Sequence, residues 1–333
     1  MTEPRFLVVR LGSLGDIVHA FPAVSGLRTS FPNAEVIWLT HPKWEFLVKT
    51  AGLATQIWTV DTRNWSNVRS ILTRIRKLRF EAAIDYQGLW KSAAIPFLAQ
   101  IPRRIGFSSE TIREVGVPFL YTDRVRVSAE RHIADQNAEL SARAGAIIAT
   151  GSVTLRVPED DEKVVRARIA HYGTEEYIVL SPGGGWGSKC WPAGRYGVLA
   201  EKLFEQFGLR SVINVGPGEE HLATNVMRAA GNSQPIQFTG SLGQLMALLK
   251  NASAVVAGDT GPLHLADALG TRVIAIFGPT APARNGPYQR SGIVLRWEGA
   301  TTTYKRETEP DESLLHISVD EVMSAIRGLR EAA

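Results

Sequence analysis

Residues 254–269 read AVVAGDTGPLHLADAL: a short apolar run, a Gly-Asp-Thr-Gly-Pro turn, then apolar residues at helical spacing. The pattern predicts a buried strand that passes through a tight loop into a helix N-terminus. Gly258 and Gly261 let the backbone turn sharply and approach a ligand. Asp259 or Thr260 is placed to cap the helix, and Pro262 suits its first turn, where a missing N–H costs nothing. Unpaired N–H groups and the positive end of the helix dipole then face whatever occupies the loop, which favours phosphate. A second junction of the same kind opens the chain: FLVVR at 6–10 is a buried strand, LGSLGD at 11–16 a glycine-bearing turn, and residues 17–27 a helix.

Between and beyond these junctions the pattern alternates. Strands are expected near 5–10, 35–39, 56–60, 82–85 and 103–106, separated by helices near 16–29, 43–50, 65–78, 90–99 and 131–144. The second half repeats the arrangement, with strands near 177–181, 210–215, 235–238, 254–257 and 272–276. Such alternation implies an α/β protein with parallel sheets covered on both faces, and two such sets imply two doubly wound domains. Ligands of such folds lie at the carboxyl ends of the strands and between the halves. The segment ATGSVTLRVP at 149–158 is the expected linker, although 153–157 also reads as a strand. The domains are thus placed at 1–155 and 156–318, with a closing helix at 319–330 free to pack back across the first.

Composition narrows the class. With 333 residues and 44% hydrophobic content, the chain is long enough for two cores without covalent staples. The single cysteine, Cys190, excludes an internal disulfide framework and fits a reducing compartment. No apolar run approaches the ~18 residues of a spanning helix, and the first apolar run is broken by Arg10, so the expectation is a cytoplasmic protein without a signal peptide. Residues 1–160 hold 20 Lys and Arg against 15 Asp and Glu, whereas the rest hold 17 against 18. Arg69, Arg74, Arg76, Lys77 and Arg79 share a predicted amphipathic helix with Val68, Ile71, Leu72, Ile75 and Leu78. That basic face is either a solvated surface or a means of attraction to an anionic one, such as membrane phosphates. Nucleic acid is disfavoured, because no recognition motif accompanies the charge.

Three further segments bear on chemistry. YIVLSPGGGWGSKCWP at 177–192 is a strand followed by Gly183, Gly184 and Gly185 and then Lys189, so backbone N–H groups and a point charge are available to an anion. VINVGPGEE at 212–220 places Glu219 and Glu220 where they would accept hydrogen bonds from a ribose or base, or serve only as helix N-terminal carboxylates. AAIDYQGLWKS at 82–92 sets Asp85, Gln87 and Lys91 at a strand end and helix start. The opening loop has neither the dinucleotide fingerprint nor a P-loop lysine, so Asp16 there is a helix cap or a general base. His264 is either structural or a phosphate or sugar contact. The seven histidines and one cysteine lack metal-ligand spacing, and no metal site is expected.

Taken together, LGSLGD at 11–16, DYQGLWKS at 85–92, SPGGGWGSKCWP at 181–192 and GDTGPLHLADALG at 258–270 resemble the glycosyltransferase family 9 heptosyltransferases of lipopolysaccharide core assembly. The resemblance implies the GT-B fold, two Rossmann-like domains facing across a cleft, the first for the acceptor and the second for the sugar nucleotide. It implies ADP-L-glycero-β-D-manno-heptose as donor, a Kdo-bearing or heptosylated lipid A core as acceptor, inversion at the anomeric carbon and no required cofactor. It also implies a cytoplasmic enzyme peripheral to the inner face of the inner membrane. By the same resemblance Asp16 is the catalytic base and Lys189 the phosphate-binding lysine. Asp259 contacts the sugar, Thr260 and Gly261 form the diphosphate loop, and His264 follows it. Gly15, Gln87 and Lys91 fall on the acceptor side. Gly184 and Gly185 depart from the hydroxyl residues common in the family, leaving backbone N–H groups in their place. The rival expectations are a sugar-nucleotide binder without catalysis, a transferase of another sugar, and a nicotinamide-dependent oxidoreductase.

Overall fold

Apolar runs of four to six residues, each bounded by turn residues, form strands buried on both faces, and they assemble into two separate parallel sheets in the computed structural model. The structure describes residues 3–112, 114–148, 153–289, 292–303 and 305–331. The chain divides into two units, residues 1–156 and 157–333. Of the expected linker at 149–158, positions 149–152 lie outside the described residues, and 153–157 form no strand.

The first unit runs β1 (Arg5–Val9), α1 (Leu14–Val18), α2 (Phe21–Ser30), β2 (Glu35–Thr40), α3 (Glu45–Ala51), β3 (Gln56–Thr59), α4 (Trp65–Arg76), β4 (Ala82–Asp85), α5 (Trp90–Leu98), β5 (Arg104–Phe107), β6 (Asp123–Val125) and α6 (Ile133–Arg143). Its sheet order is β3-β2-β1-β4-β5-β6. Leu7, Val9, Ile37, Leu39 and Ala83 meet Val68, Ile71, Leu72 and Ile75 of α4 in one core. The helix expected at 16–29 is two helices: Pro22 has no N–H to continue the ladder, so α1 stops and α2 starts with the proline in its first turn.

The second unit runs α7 (Glu159–Ala170), β7 (Tyr177–Ser181), α8 (Ala193–Phe207), β8 (Arg210–Asn214), α9 (Glu220–Ala229), β9 (Ile236–Phe238), α10 (Leu242–Lys250), β10 (Ala254–Gly258), α11 (Gly261–Ala268), β11 (Val273–Phe277), α12 (Pro282–Asn285), β12 (Gly292–Arg296), α13 (Glu312–Leu315) and α14 (Val319–Glu331). Its sheet order is β12-β11-β10-β7-β8-β9. The closing helix packs on α8, β11 and β12 of its own unit. Val322, Met323 and Ile326 join Trp191, Leu199 and Leu203 in the second core, and Trp191 Nε1 donates to Ile317 O at 3.0 Å. An amphipathic helix settles where it buries most apolar area, and the face of α8 supplies it.

In each unit the strand order reverses at one place, between β1 and β4 and between β7 and β10. Parallel strands there send their following loops to opposite faces, which opens a crevice at their carboxyl ends. The LGSLGD and DYQG turns follow β1 and β4, and the SPGGGWGSK and GDTGP turns follow β7 and β10. Among the described residues, no helix is long and apolar enough to cross a membrane, and no three His, Cys, Asp or Glu side chains gather as a metal site.

Candidate active site

In the second unit the two crevice loops are joined through one carboxylate. Asp259 is buried directly after β10, and its Oδ2 lies 2.6 Å from Lys189 Nζ, which comes from the β7 loop. Its Oδ1 lies 3.1 Å from His264 Nε2, and Asn285 Nδ2 donates to Oδ2 at 3.3 Å. Lys189 Nζ also reaches the Asp259 carbonyl at 3.3 Å. Burial opposes ionisation of Asp259, but the hydrogen bond and charge of His264, followed by the charge of Lys189, outweigh it and hold the carboxyl well below the usual carboxylate range.

The backbone makes this approach possible. A Cβ on Gly258 would lie 2.7 Å from the Lys189 carbonyl oxygen, so only glycine lets the two loops come together here. Lys189 ends a single 3-10 turn, Gly187–Lys189, whose Ser188 N donates to Glu307 O at 3.1 Å and whose Ser188 Oγ donates to Lys305 O at 3.2 Å. A Cβ on Gly187 would run into the Thr308 carbonyl. That strap brings a further cation: Trp186 has Lys189 Nζ 4.2 Å and the Arg306 guanidinium carbon 4.9 Å from its ring centroid. Nothing in the sequence around Arg306 signalled this, because its partner is 120 positions away in a turn.

The expected donor residues divide by environment. Thr260 is the N-cap of α11 without a capping bond from its side chain, and its buried Oγ1 has no partner among the described residues. The same holds for Thr280 Oγ1, just after β11. Buried hydroxyls are rarely left unmatched, so each has a donor and acceptor to offer a ligand. Gly261 begins α11. Gly184 packs where a Cβ would meet Cys190 Sγ at 2.8 Å and Thr260 Cγ2 at 3.3 Å, whereas Gly185 is open. Gly183 lies directly against the Glu219 carboxylate, which also accepts from Gly216 N at 2.8 Å, and Glu220 accepts from Gly218 N at 3.2 Å. Both glutamates thus brace their own glycine turn, Glu220 with its carboxyl lowered by its own backbone N–H and by that of Gly218. Cys190 is pushed up to about 11 by burial and then by Glu219, so its thiol stays protonated at neutral pH.

In the first unit Asp16 sits in the first turn of α1, its side chain 42% exposed. Its Oδ1 lies 2.6 Å from Arg10 Nη2, and its Oδ2 accepts from Ser13 N at 3.0 Å and Ser13 Oγ at 2.8 Å. It therefore caps its helix, with an accessible carboxylate held in one orientation. Arg10 is the residue that sequence reasoning passed over. Its buried guanidinium donates to Tyr86 O as well as pairing with Asp16, and a buried guanidinium keeps its proton and needs an anion. The signal was visible: a cation closing an otherwise apolar strand, FLVVR.

Gln87 faces the same loop, its Oε1 accepting from Leu11 N at 2.7 Å. Asp85 anchors the turn beneath it, accepting from Tyr121 Oη at 2.7 Å, Ser92 Oγ at 2.8 Å and Gln87 N at 2.9 Å; burial pushes its carboxyl up against the pull of these donors. Gly15 is buried in α1, and Lys91 is exposed on α5. The structure thus brings Gly15, Asp16 and Gln87 to one loop cluster of the first unit, and Lys189, Asp259, Thr260 and His264 to one cluster of the second.

The model of glycosyltransferase family 9 (heptosyltransferase) matches residues 68–314. The chain belongs to glycosyltransferase family 9. It is accordingly a transferase with the GT-B fold, which sets aside the nicotinamide-dependent oxidoreductase. It is 26% identical to lipopolysaccharide heptosyltransferase 1 of Pseudomonas aeruginosa, over 97% of this chain and 94% of that one. In structure it is similar to a family 9 glycosyltransferase of Veillonella parvula, with a TM-score of 0.86 and 22% identity over 100% and 99% of the two chains. It is also similar to ADP-heptose lipopolysaccharide heptosyltransferase II of Escherichia coli, at a TM-score of 0.83 and 20% identity over 99% of this transferase and 100% of that structure.

Proposed function

We propose that the transferase moves heptose from ADP-L-glycero-β-D-manno-heptose to the Kdo or heptose inner core of lipopolysaccharide, with inversion at the anomeric carbon. The observation that carries this reading is the buried Lys189–Asp259–His264 cluster at the β7/β10 reversal, in a chain of this family. A cation, a helix start and two unmatched threonine hydroxyls offer a diphosphate its ligands.

Inverting transfer is a single displacement: the acceptor hydroxyl attacks C1 of the sugar as the bond from C1 to the ADP oxygen breaks, through an oxocarbenium-like transition state. The hydroxyl proton passes to the Asp16 carboxylate. A positioned base of this kind is worth about 10²- to 10⁴-fold. Arg10 and Ser13 fix its direction. On the donor side, charge grows on the diphosphate as ADP leaves. Lys189 has one ammonium hydrogen beyond the two directed at Asp259, and together with Thr260, the start of α11 and the glycine N–H groups it neutralises that charge. Asp259 holds Lys189 in place and is itself held by His264, and the two are assigned to the sugar side of the donor. The step uses the chain's own residues and calls for no cofactor. The acceptor is a lipid, so the enzyme works peripherally at the inner face of the inner membrane, with Gln87 and Lys91 on the acceptor side.

Incubation with ADP-heptose and truncated core acceptors, followed by mass measurement of the products, tests the assignment. Addition of one heptose unit is expected. Transfer from a different ADP-sugar in its place, or hydrolysis without transfer, would overturn it.

A further inference from the structure

The outward face of α5 carries large apolar side chains beside the exposed Lys91, where a surface helix is normally polar. Its inward residues are Ser92, Ala93, Ile95, Pro96 and Ala99, whereas Trp90, Phe97 and Leu98, at helical positions i, i+7 and i+8, are 49%, 43% and 42% exposed. The adjoining turn packs against α5 and continues the patch with Val115, 93% exposed, and Phe119, 75% exposed. Five large apolar side chains crowded on neighbouring elements are a contiguous surface rather than scattered exceptions.

Arginines are interleaved with them. Arg104 lies over the Phe97 ring at 5.4 Å and donates to Leu120 O at 2.7 Å; Arg124 lies over Phe119 at 5.2 Å; Arg76 of the basic α4 face donates to Leu98 O at 2.8 Å. Arg76, Phe97, Leu98, Gln100 and Arg104 line a surface depression of about 450 Å³. The nearby carboxylates are engaged locally: Glu114 accepts from Trp90 N at 2.7 Å, and Asp123 lies between Arg103 and Arg143, each at 2.8 Å. Apolar side chains ringed by guanidinium groups match one kind of partner, a bilayer whose phosphates take the arginines and whose acyl boundary takes the rings.

We propose that the α5 face and the 115–119 turn of the first unit dock on an anionic phospholipid bilayer. The proposal rests on the reading that the acceptor is membrane-borne, but not on which sugar is moved. Docking on this face would keep the enzyme on the surface where a lipid-anchored acceptor is held, and Lys91, expected to meet the acceptor, lies on the same helix.

Flotation of the whole protein with vesicles of phosphatidylcholine, alone or mixed with phosphatidylglycerol, reads the effect. Binding is expected with the mixed vesicles only, and it should weaken as salt is raised. Leu98→Ser/Phe119→Ser and Arg76→Gln/Arg124→Gln should each weaken it by about tenfold or more, through lost apolar burial and lost phosphate attraction respectively. Both variants should keep the wild-type melting temperature and the wild-type rate on a soluble, deacylated core acceptor. Equal vesicle binding by wild type and both variants would overturn the proposal, as would concentration-dependent dimerisation that Phe119→Ser abolishes. Loss of transfer on the soluble acceptor in the wild type itself would count against the function above and leave the vesicle result to stand alone.

Discussion

Replacing Asp259 with alanine is the severest single test of the donor cluster. The side chain of Asp259 is 4% exposed and that of Lys189 is 11% exposed, so removal of the carboxylate strands an ammonium group out of water and withdraws an acceptor from His264 and Asn285. Breaking a buried pair by deleting one partner costs about 3–5 kcal/mol. For a unit the size of residues 157–333, each kcal/mol moves the melting midpoint by about 2–4 °C, so the fall should be about 6–20 °C. Differential scanning calorimetry resolves it. Lys189→Met added to Asp259→Ala should restore part of the loss, since the stranded charge is gone while His264 and Asn285 still lack an acceptor.

The pH dependence has a definite sign. The folded carboxyl binds its proton more weakly than the unfolded one, whose pKa is about 3.9, so the unfolded chain takes up protons first as pH falls. The contribution of Asp259 is therefore fully present above about pH 5 and is lost progressively below about pH 4, where the gap between wild type and Asp259→Ala should narrow. A fall of less than about 3 °C at pH 7, or a double variant less stable than the single one, would refute the buried-pair account.

Asp16→Asn keeps one acceptor oxygen, for Ser13 or for Arg10 but not for both, and cannot take a proton, so turnover should drop by about 10²-fold or more with ADP affinity nearly unchanged; turnover within tenfold of wild type would reject Asp16 as base. Lys189→Ala should weaken ADP by about tenfold or more, measured by titration calorimetry, because a charge-assisted phosphate contact is lost in ground and transition states alike. Unchanged affinity would remove Lys189 from the diphosphate. Gly258→Ala forces a methyl to 2.7 Å from the Lys189 carbonyl, which should cost about 1–3 kcal/mol and loosen ADP as the two loops part; an unshifted melting curve would show that the approach is not tight.

Much of the architecture could be read locally. Strands β1, β2, β4, β7, β10 and β11 are continuous apolar runs between turn residues, a pattern that only a sheet covered on both faces accommodates. Two of the four edge strands escaped notice, while β3 and β9 were expected: β6 has only three residues, Asp123–Val125, none of them buried, and β12 is half-exposed along its length. An edge strand is paired on one side only, and its composition carries correspondingly less pattern. The split into α1 and α2 was legible in Pro22 but was outweighed by the apolar periodicity on either side of it.

The sequence by itself determined the two strand-turn-helix junctions, the residue types in them and their family, because glycine, proline and capping residues act within a few positions of their neighbours. Tertiary structure alone decided which charges meet. Lys189 and Asp259 are 70 positions apart, and Gln87 bonds a backbone N–H 76 positions earlier; the parallel sheet brings them together by placing β7 beside β10 and β1 beside β4. It likewise sent the last helix to α8 and turned Phe97 and Phe119 outward, since burial depends on what the rest of the chain leaves uncovered.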